Sequence, residues 1–494
     1  MTLEQQLPAL QVILPLFGAL ICALMRRGSL AWGIALGVSF AMPVISGVLL
    51  AEVLSNGPIS YHLGGWAPPW GIEYRVDTLG AYLLMLISAI GALIMPYARA
   101  SVAREISADK QAWFYTMYLL CLTGLLGIAI TGDAFNIFVF LEVSSLSTYV
   151  LIAMGKDRRA LLSAYQYLIM GTIGATFYVI GIGLLYSVTG TLNLVDLTAR
   201  ISEIGPSRPV LAALAFLEVG ISLKLALFPL HVWLPNAYAY APSVVTAFLA
   251  ATATKVAVYL YLRFLFSVFG VSVVFKGLPV PEILLALSIA AMFGASLVAV
   301  FQDNIKRMLA YSSVAQIGYI TLGIGLANKM GLTGGVVHLI NHAMMKGALF
   351  MAIGAVVYRV GSARLEDFAG IGRRMPLTMA VFTLGGLSII GTPGTVGFVS
   401  KWYLAVGALD KGWWWLMFLL VASSLVSVVY IGRVVEVIWF RPLLHTGTTV
   451  REVPLAMLVP MLLLATATIY FGIDTTLTAG IAGRAVDMLL AGLS

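Results

Sequence analysis

The chain has 494 residues, of which 61% are hydrophobic and only 10% charged, with a formal charge of +8 at pH 7. No water-soluble globule keeps that balance, whereas about 14 bilayer-crossing segments of roughly 21 residues would use about 60% of the chain, in line with its apolar share. The Lys and Arg residues stand singly or in pairs between apolar runs, so no nucleic-acid partner is expected and their place is topological. Cys22 and Cys121 both lie inside apolar runs, which excludes a disulfide framework, a CxxC metal site and a cysteine-bound iron–sulfur cluster. No cofactor is expected.

Apolar runs predict spans near residues 7–25, 30–54, 79–99, 113–131, 134–154, 161–189, 209–229, 242–269, 279–301, 309–327, 332–358, 376–400, 413–440 and 453–472. Nothing basic precedes the first run and Arg26 and Arg27 follow it, which reads as a retained helix rather than a signal peptide. One set of alternate loops holds 17 Lys or Arg and the other 8, with Lys224, Lys255, Lys346 and Lys401 inside apolar segments. Positive loops stay cytoplasmic during insertion, so both termini are expected on the extracytoplasmic side of a bacterial or archaeal cell membrane.

No loop is long enough for a soluble domain; the longest, near 55–78, is rich in Gly, Pro and Trp and is expected at the membrane interface. Residues 1–494 read as one all-α membrane domain: N-terminal helices over 1–110, five-helix blocks over 111–270 and 271–442, and a C-terminal helix and tail over 443–494. Two segments interrupt their own helical pattern, KLALFPLHVWLP with Pro229 and Pro235, and IIGTPGTVGFVSK with Gly391, Pro393, Gly394 and Gly397. In hydrocarbon such breaks persist only where protein or water satisfies the freed backbone groups. Spans 7 and 12 are therefore expected to be discontinuous, each the fourth of its block and each carrying a lysine. An odd number of crossings per block would invert the second block relative to the first.

A charged side chain at mid-bilayer costs on the order of 2.5–3.5 kcal/mol, so each needs a partner, water or a function. Glu142 lies nine residues beyond Asp133, the expected start of span 5, which is about 13 Å of rise into the membrane. Lys224, at similar depth just before Pro229, is the available opposite charge. The two form either a structural ion pair between spans 5 and 7 or a pair that separates at the helix break and passes on a proton. Lys255, well inside span 8, adds a second buried ammonium unless it lies over a helix C-terminus. Glu218, six residues before Lys224, lies about 240° around the helix and is expected to face another subunit or a second cation.

In HLINHAMMKGALF, His338, His342 and Lys346 recur at i, i+4 and i+8 on one face of span 11. Histidine titrates near neutral pH and a desolvated lysine can, so the row suits stepwise proton transfer through water; polar glue between helices is the structural alternative. The histidine spacing also fits a metal pair, but no Cys follows and no Glu separates the two, so no metal is expected. His231, in FPLHVWLP, is a secondary relay position. Lys401, after the break in span 12, is the counterpart of Lys224 and the far end of the path. Distributed through successive spans, these groups suit a lateral relay rather than a binding pocket.

FNIFVFLE around Glu142, KLALFPLHVWLPNAYAYAPS around Lys224, DNIKRMLAYSSVAQIGY over 303–319, HLINHAMMKGALF, and GFVSK ending at Lys401 follow one another along the chain. With these motifs nearly the whole chain resembles the antiporter-like subunits shared by complex I, membrane-bound hydrogenases and multisubunit sodium/proton antiporters. The resemblance implies about 14 helices with two inverted five-helix repeats. It also implies relay roles for Glu142, Lys224, Lys255 and Lys401, bridged by the histidines and lysine of span 11. The length, and lysine at 401 where M-type complex I subunits typically carry glutamate, resemble the D-type subunit of Mrp-type antiporters. L-type subunits usually extend into a long lateral helix that is absent here, while HVWLP with His231 is more like the respiratory and hydrogenase relatives.

The expected function is proton translocation in a multisubunit complex, as the D-type subunit of an Mrp-type Na+/proton antiporter or, alternatively, as an M/N-type subunit of a respiratory NADH-quinone oxidoreductase or a hydrogenase subunit. Expected partners are other membrane subunits, the lipid bilayer, and protons with Na+ or K+. A quinone-reducing enzyme would need cluster, flavin or haem motifs that the chain lacks, and a self-contained solute carrier would gather its polar groups around one midplane pocket.

Overall fold

In hydrocarbon every backbone N–H and C=O must be satisfied within the protein, which leaves the helix as the form open to runs this apolar. The computed structural model describes residues 4–25, 27–443 and 450–491 and is helical nearly throughout; Arg26, one of the loop charges counted above, lies outside the described residues. The helices are α1 (Leu7–Leu24), α2 (Gly28–Asn56), α3 (Thr78–Glu105), α4 (Gln111–Ile130), α5 (Ala134–Ala153), α6 (Arg159–Thr189), α7 (Leu194–Ile204), α8 (Arg208–Leu225) and α9 (Trp233–Tyr240). They continue as α10 (Ser243–Leu262), α11 (Val280–Val300), α12 (Ile305–Gly325), α13 (Lys329–Val360), α14 (Pro376–Ile390), α15 (Val396–Asp410), α16 (Trp414–Phe440), α17 (Leu455–Ile473) and α18 (Thr476–Leu490). Eleven of the described helices are long and apolar enough to cross a membrane.

Polar side chains start several of these helices. Asp77 accepts from Gly80 N at 2.9 Å ahead of α3, Asp133 from Asn136 N at 2.7 Å ahead of α5, and Asn328 from Gly331 N at 2.8 Å ahead of α13. Each satisfies an N-terminal donor that has no partner within its helix. Helices α10 and α13 are enclosed on nearly every side and pack on each other. Ala and Thr in α10 and Gly and Ala in α13 supply small side chains that let the helix backbones approach. In contrast, α2 and α16 expose Phe40, Val44, Phe418 and Leu425.

Several boundaries differ from the sequence reading. The seventh expected span stops at Leu225 as α8 and resumes at Trp233 as α9; the twelfth is α14 followed by α15, which runs on to Asp410 rather than ending near 400. Helix α10 continues past Leu262 as a π-helical turn, so Arg263, counted among the loop charges, is buried. Two further helices, α7 and α18, lie where the sequence suggested a loop and a tail; α18 packs on α13 and is tied to it by Lys329–Asp487 at 2.5 Å. The all-helical expectation also misses one hairpin. In the 55–78 loop, β1 (Ile59–His62) pairs antiparallel with β2 (Glu73–Val76), Ile59 opposite Val76 and His62 opposite Glu73, and the connection exposes Trp66 and Trp70.

Candidate functional site

Glu142 lies midway along α5 and Lys224 at the end of α8, with Lys224 Nζ 4.0 Å from the carboxylate. The closer partner of the ammonium is Ser145 Oγ, at 2.7 Å. Room for this arrangement comes from α6. A Cβ at Gly171 would fall 1.9 Å from the Tyr149 hydroxyl and 3.4 Å from Lys224 Nζ. A void of about 30 Å3 beside Lys224, lined by Ser144, Ser145, Thr148 and Tyr167, is large enough for a water molecule. Its far wall is Ala253 and Val256 of α10, which flank Lys255 in sequence.

The break after α8 is satisfied locally. Ala226 takes a left-handed φ of 60°, and Leu227 N bonds Ser222 O at 3.0 Å. Trp233 Nε1 reaches back to Leu223 O at 2.9 Å while its ring stacks on Tyr167 at 3.8 Å. The carbonyls freed by the break therefore find donors inside the protein, as an irregular segment at membrane depth requires.

Lys255, 1% exposed, donates to the Ala250 carbonyl of its own helix and lies 3.3 Å from Thr254 Oγ1. It does not cap a neighbouring helix end, the structural alternative raised for it. Lys401 does. Gly391 ends α14 at φ 93°, a left-handed conformation suited to glycine, and Lys401 Nζ donates to the Ile389 and Ile390 carbonyls at 2.9 Å each. The same ammonium meets Ser424 Oγ at 2.8 Å and lies 4.6 Å above the Tyr319 ring. Lys224 precedes its break and Lys401 follows its own, so the two counterparts sit on opposite sides of the interruption.

Between them runs the fully buried row on α13. His338 joins Ser400 Oγ at 2.7 Å through Nδ1 and Gln316 Oε1 at 3.0 Å through Nε2, so the residue beside Lys401 holds the first histidine. The His338 and His342 rings are stacked, 6.0 Å apart at 6°. Among the described residues, neither ring nitrogen of His342 has a hydrogen-bond partner. Lys346 donates to Leu309 O at 2.8 Å, and its helix packs on α10, which carries Lys255.

Glu218 and His231 stand apart. Glu218 faces Tyr261 and an apolar cavity between α8 and α11, and its buried Oε1 has no hydrogen-bond partner among the described residues. The His231 ring lies in the break, 5.1 Å from Phe228 and 6.4 Å from Tyr311.

Sequence reasoning missed Asp77 and Arg263, a buried ion pair between α3 and the end of α10. Arg263 lies over the Tyr259 ring at 4.9 Å, and Lys255, Tyr259 and Arg263 recur every fourth residue along one face. That spacing was the available signal. A cavity of about 710 Å3, lined by Asp77, Tyr259 and Arg263, opens from this end of α10.

Residues 131–427 match the family described as NADH:quinone oxidoreductase/Mrp antiporter, TM. The chain belongs to that family. The matched segment contains the whole row from Glu142 to Lys401. Over 486 residues the chain is 42% identical to the N subunit of the NADH-quinone oxidoreductase of Desulforudis audaxviator (strain MP104C), covering 94% of this chain and 95% of the relative. It is 27% identical over 482 residues to the D-type subunit of the Na(+)/H(+) antiporter of Bacillus subtilis (strain 168), covering 97% and 96%. Among solved structures it superimposes on a chain of the Mrp complex from Dietzia sp. DQ12-45-1b with a TM-score of 0.90 at 27% identity, covering 99% and 98%. A chain of the membrane-bound sulfane sulfur reductase, an archaeal respiratory membrane complex, gives 0.89 at 32% identity, covering 99% and 100%.

Proposed function

We propose that this chain is the proton-translocating subunit of a multisubunit membrane complex, carrying protons along the row from the Glu142–Lys224 pair to Lys401. The observation that carries this reading is the character of the hydrogen-bond partners. Lys224, Lys255, His338, Lys346 and Lys401 are held by hydroxyls, an amide and backbone carbonyls, and among the described residues Glu142 is the one carboxylate in ion-pair contact with them. Neutral partners fix a side chain in place without committing it to its charged form. Water bridging the unpartnered nitrogens of His342 completes the row.

At 4.0 Å the Glu142–Lys224 contact exceeds hydrogen-bond length, so the pair already stands partly open, and the non-helical segment after α8 allows it to open further. The Glu142 side chain is 29% exposed. Phe135, Val139 and Leu146 are exposed on the same face of α5, which suits contact with another membrane subunit at the entrance of the row. Counting α8–α9 and α14–α15 once each, together with α12, gives about 14 crossings, with the second block inverted and both termini extracytoplasmic in a prokaryotic cell membrane.

Two hosts share this machinery. Lysine at 401 supports the D-type position in a cation/proton antiporter exchanging Na+ or K+. The 42% identity to an N-type subunit, against 27% to the D-type subunit from Bacillus, supports a respiratory complex. The assembled complex carrying Glu142→Gln should keep its subunit set in proteoliposomes and lose most coupled proton movement; full transport at normal protein levels would contradict the reading. Lys224→Arg should keep the charge yet exchange protons poorly, because guanidinium hardly deprotonates. Acidification driven by a Na+ or K+ gradient in the same vesicles marks the antiporter, and acidification driven by quinone reduction marks the respiratory host.

A further inference from the structure

On the face that carries most of the Lys and Arg residues, a polar cavity of about 730 Å3 opens where the two blocks meet. Arg159 of α6, Arg307 of α12, Arg364 in the turn after α13, Arg433 of α16 and Arg441 just beyond its end line it, against two carboxylates, Asp303 and Glu366. The tendency of positive loops to stay cytoplasmic explains the side on which these arginines lie, not their convergence on one cavity. Four of them are held by a carboxylate: Arg159 by Asp157 at 2.5 Å, Arg433 by Asp303 at 2.8 Å, Arg441 by Glu436 at 3.1 Å and Arg364 by Glu366 at 3.5 Å. Arg307 forms no ion pair among the described residues, and its buried Nε has no hydrogen-bond partner. It also sits in the first turn of α12, where the positive end of the helix dipole works against a cation. An anion would relieve both deficits.

Beside the guanidinium groups the cavity also presents an apolar side chain. Phe301 lines it and is 78% exposed. One turn deeper, α11 exposes Leu297, and one and two turns before Arg433, α16 exposes Val429 and Leu425; the two helices pack side by side. A soluble phosphate would use the guanidinium groups and leave this groove bare, whereas a phosphodiester carrying acyl chains uses both. We infer that the cavity binds an anionic glycerophospholipid, with its phosphate at Arg307 and its acyl chains along Leu297, Phe301 and Val429.

The test uses the assembled complex in nanodiscs of phosphatidylcholine containing a trace of phosphatidylglycerol with a photoactivatable acyl chain, and cross-links are mapped by peptide mass spectrometry. Peptides of α11 and α16 should be labelled about five-fold more than with a phosphatidylcholine probe bearing the same chain, and the excess should fall about five-fold in Arg307→Gln. Arg364→Gln should weaken labelling as well; that side chain is 73% exposed, so its loss leaves the fold intact. Inorganic phosphate should not compete. Equal labelling by the two probes, or unchanged labelling in both variants, overturns the inference. Displacement by inorganic phosphate overturns it too and reassigns the cavity to a soluble anion.

Discussion

The Lys224 ammonium lies 2.7 Å from the Ser145 hydroxyl and 4.0 Å from the Glu142 carboxylate, so the hydroxyl rather than the carboxylate holds it. A hydrogen bond to a charged group contributes about 1.5–3 kcal/mol. In Ser145→Ala the ammonium should settle on Glu142 and close the pair. The complex should assemble normally while proton uptake into proteoliposomes slows about ten-fold. An unchanged rate would show that the hydroxyl does not set the position of the lysine.

Gly171 is the second determinant of that position. Its added methyl would occupy the place of the Tyr149 hydroxyl, 1.9 Å away, with Lys224 Nζ at 3.4 Å. Gly171→Ala should therefore cost about 1–3 kcal/mol in thermal stability, as overpacking does. Adding Tyr149→Phe removes the clashing oxygen and should recover most of the loss. Additive losses in the double variant would place the strain elsewhere.

Lys401 caps α14 as well as standing in the row, and the two roles can be separated. Lys401→Met leaves the Ile389 and Ile390 carbonyls without their donor, at a cost of about 1–3 kcal/mol for each group left buried and unsatisfied. Melting temperature and proton movement should fall together. Lys401→Arg restores a cationic cap and should recover stability while transport stays low. Recovery of transport by arginine would show that the residue acts only as a cap.

Asp77 and Arg263 bury their charges together. Breaking such a pair from one side costs about 3–5 kcal/mol, because the remaining charge stays buried alone. Asp77→Asn should sharply reduce the folded yield in membranes, and Asp77→Asn with Arg263→Gln should restore most of it. A fully stable single variant would mean that water already reaches Arg263 from the adjoining cavity.

Periodicity and punctuation read from the sequence place the helices and the two interruptions, because both depend on residues close together in the chain. Apolar runs mark the spans, Pro229 and Gly391 mark the breaks, and the i, i+4, i+8 recurrence puts His338, His342 and Lys346 on one face. The short helices α7 and α18 escaped because they carry too little apolar length to stand out from a loop. Arg263 was misplaced because nothing in its neighbourhood indicates that its partner lies 186 residues away.

The amino-acid order alone determined that this protein is a helical membrane chain with its ionisable groups set at depth, since the cost of placing a charge or an unsatisfied peptide in hydrocarbon acts on each segment separately. Only the tertiary structure decided what each of those groups touches. Ser145 reaches Lys224 across 79 positions of sequence and Ser400 reaches His338 across 62. Contacts between helices depend on which faces pack together, and that is set by the shape of the whole bundle rather than by any single span.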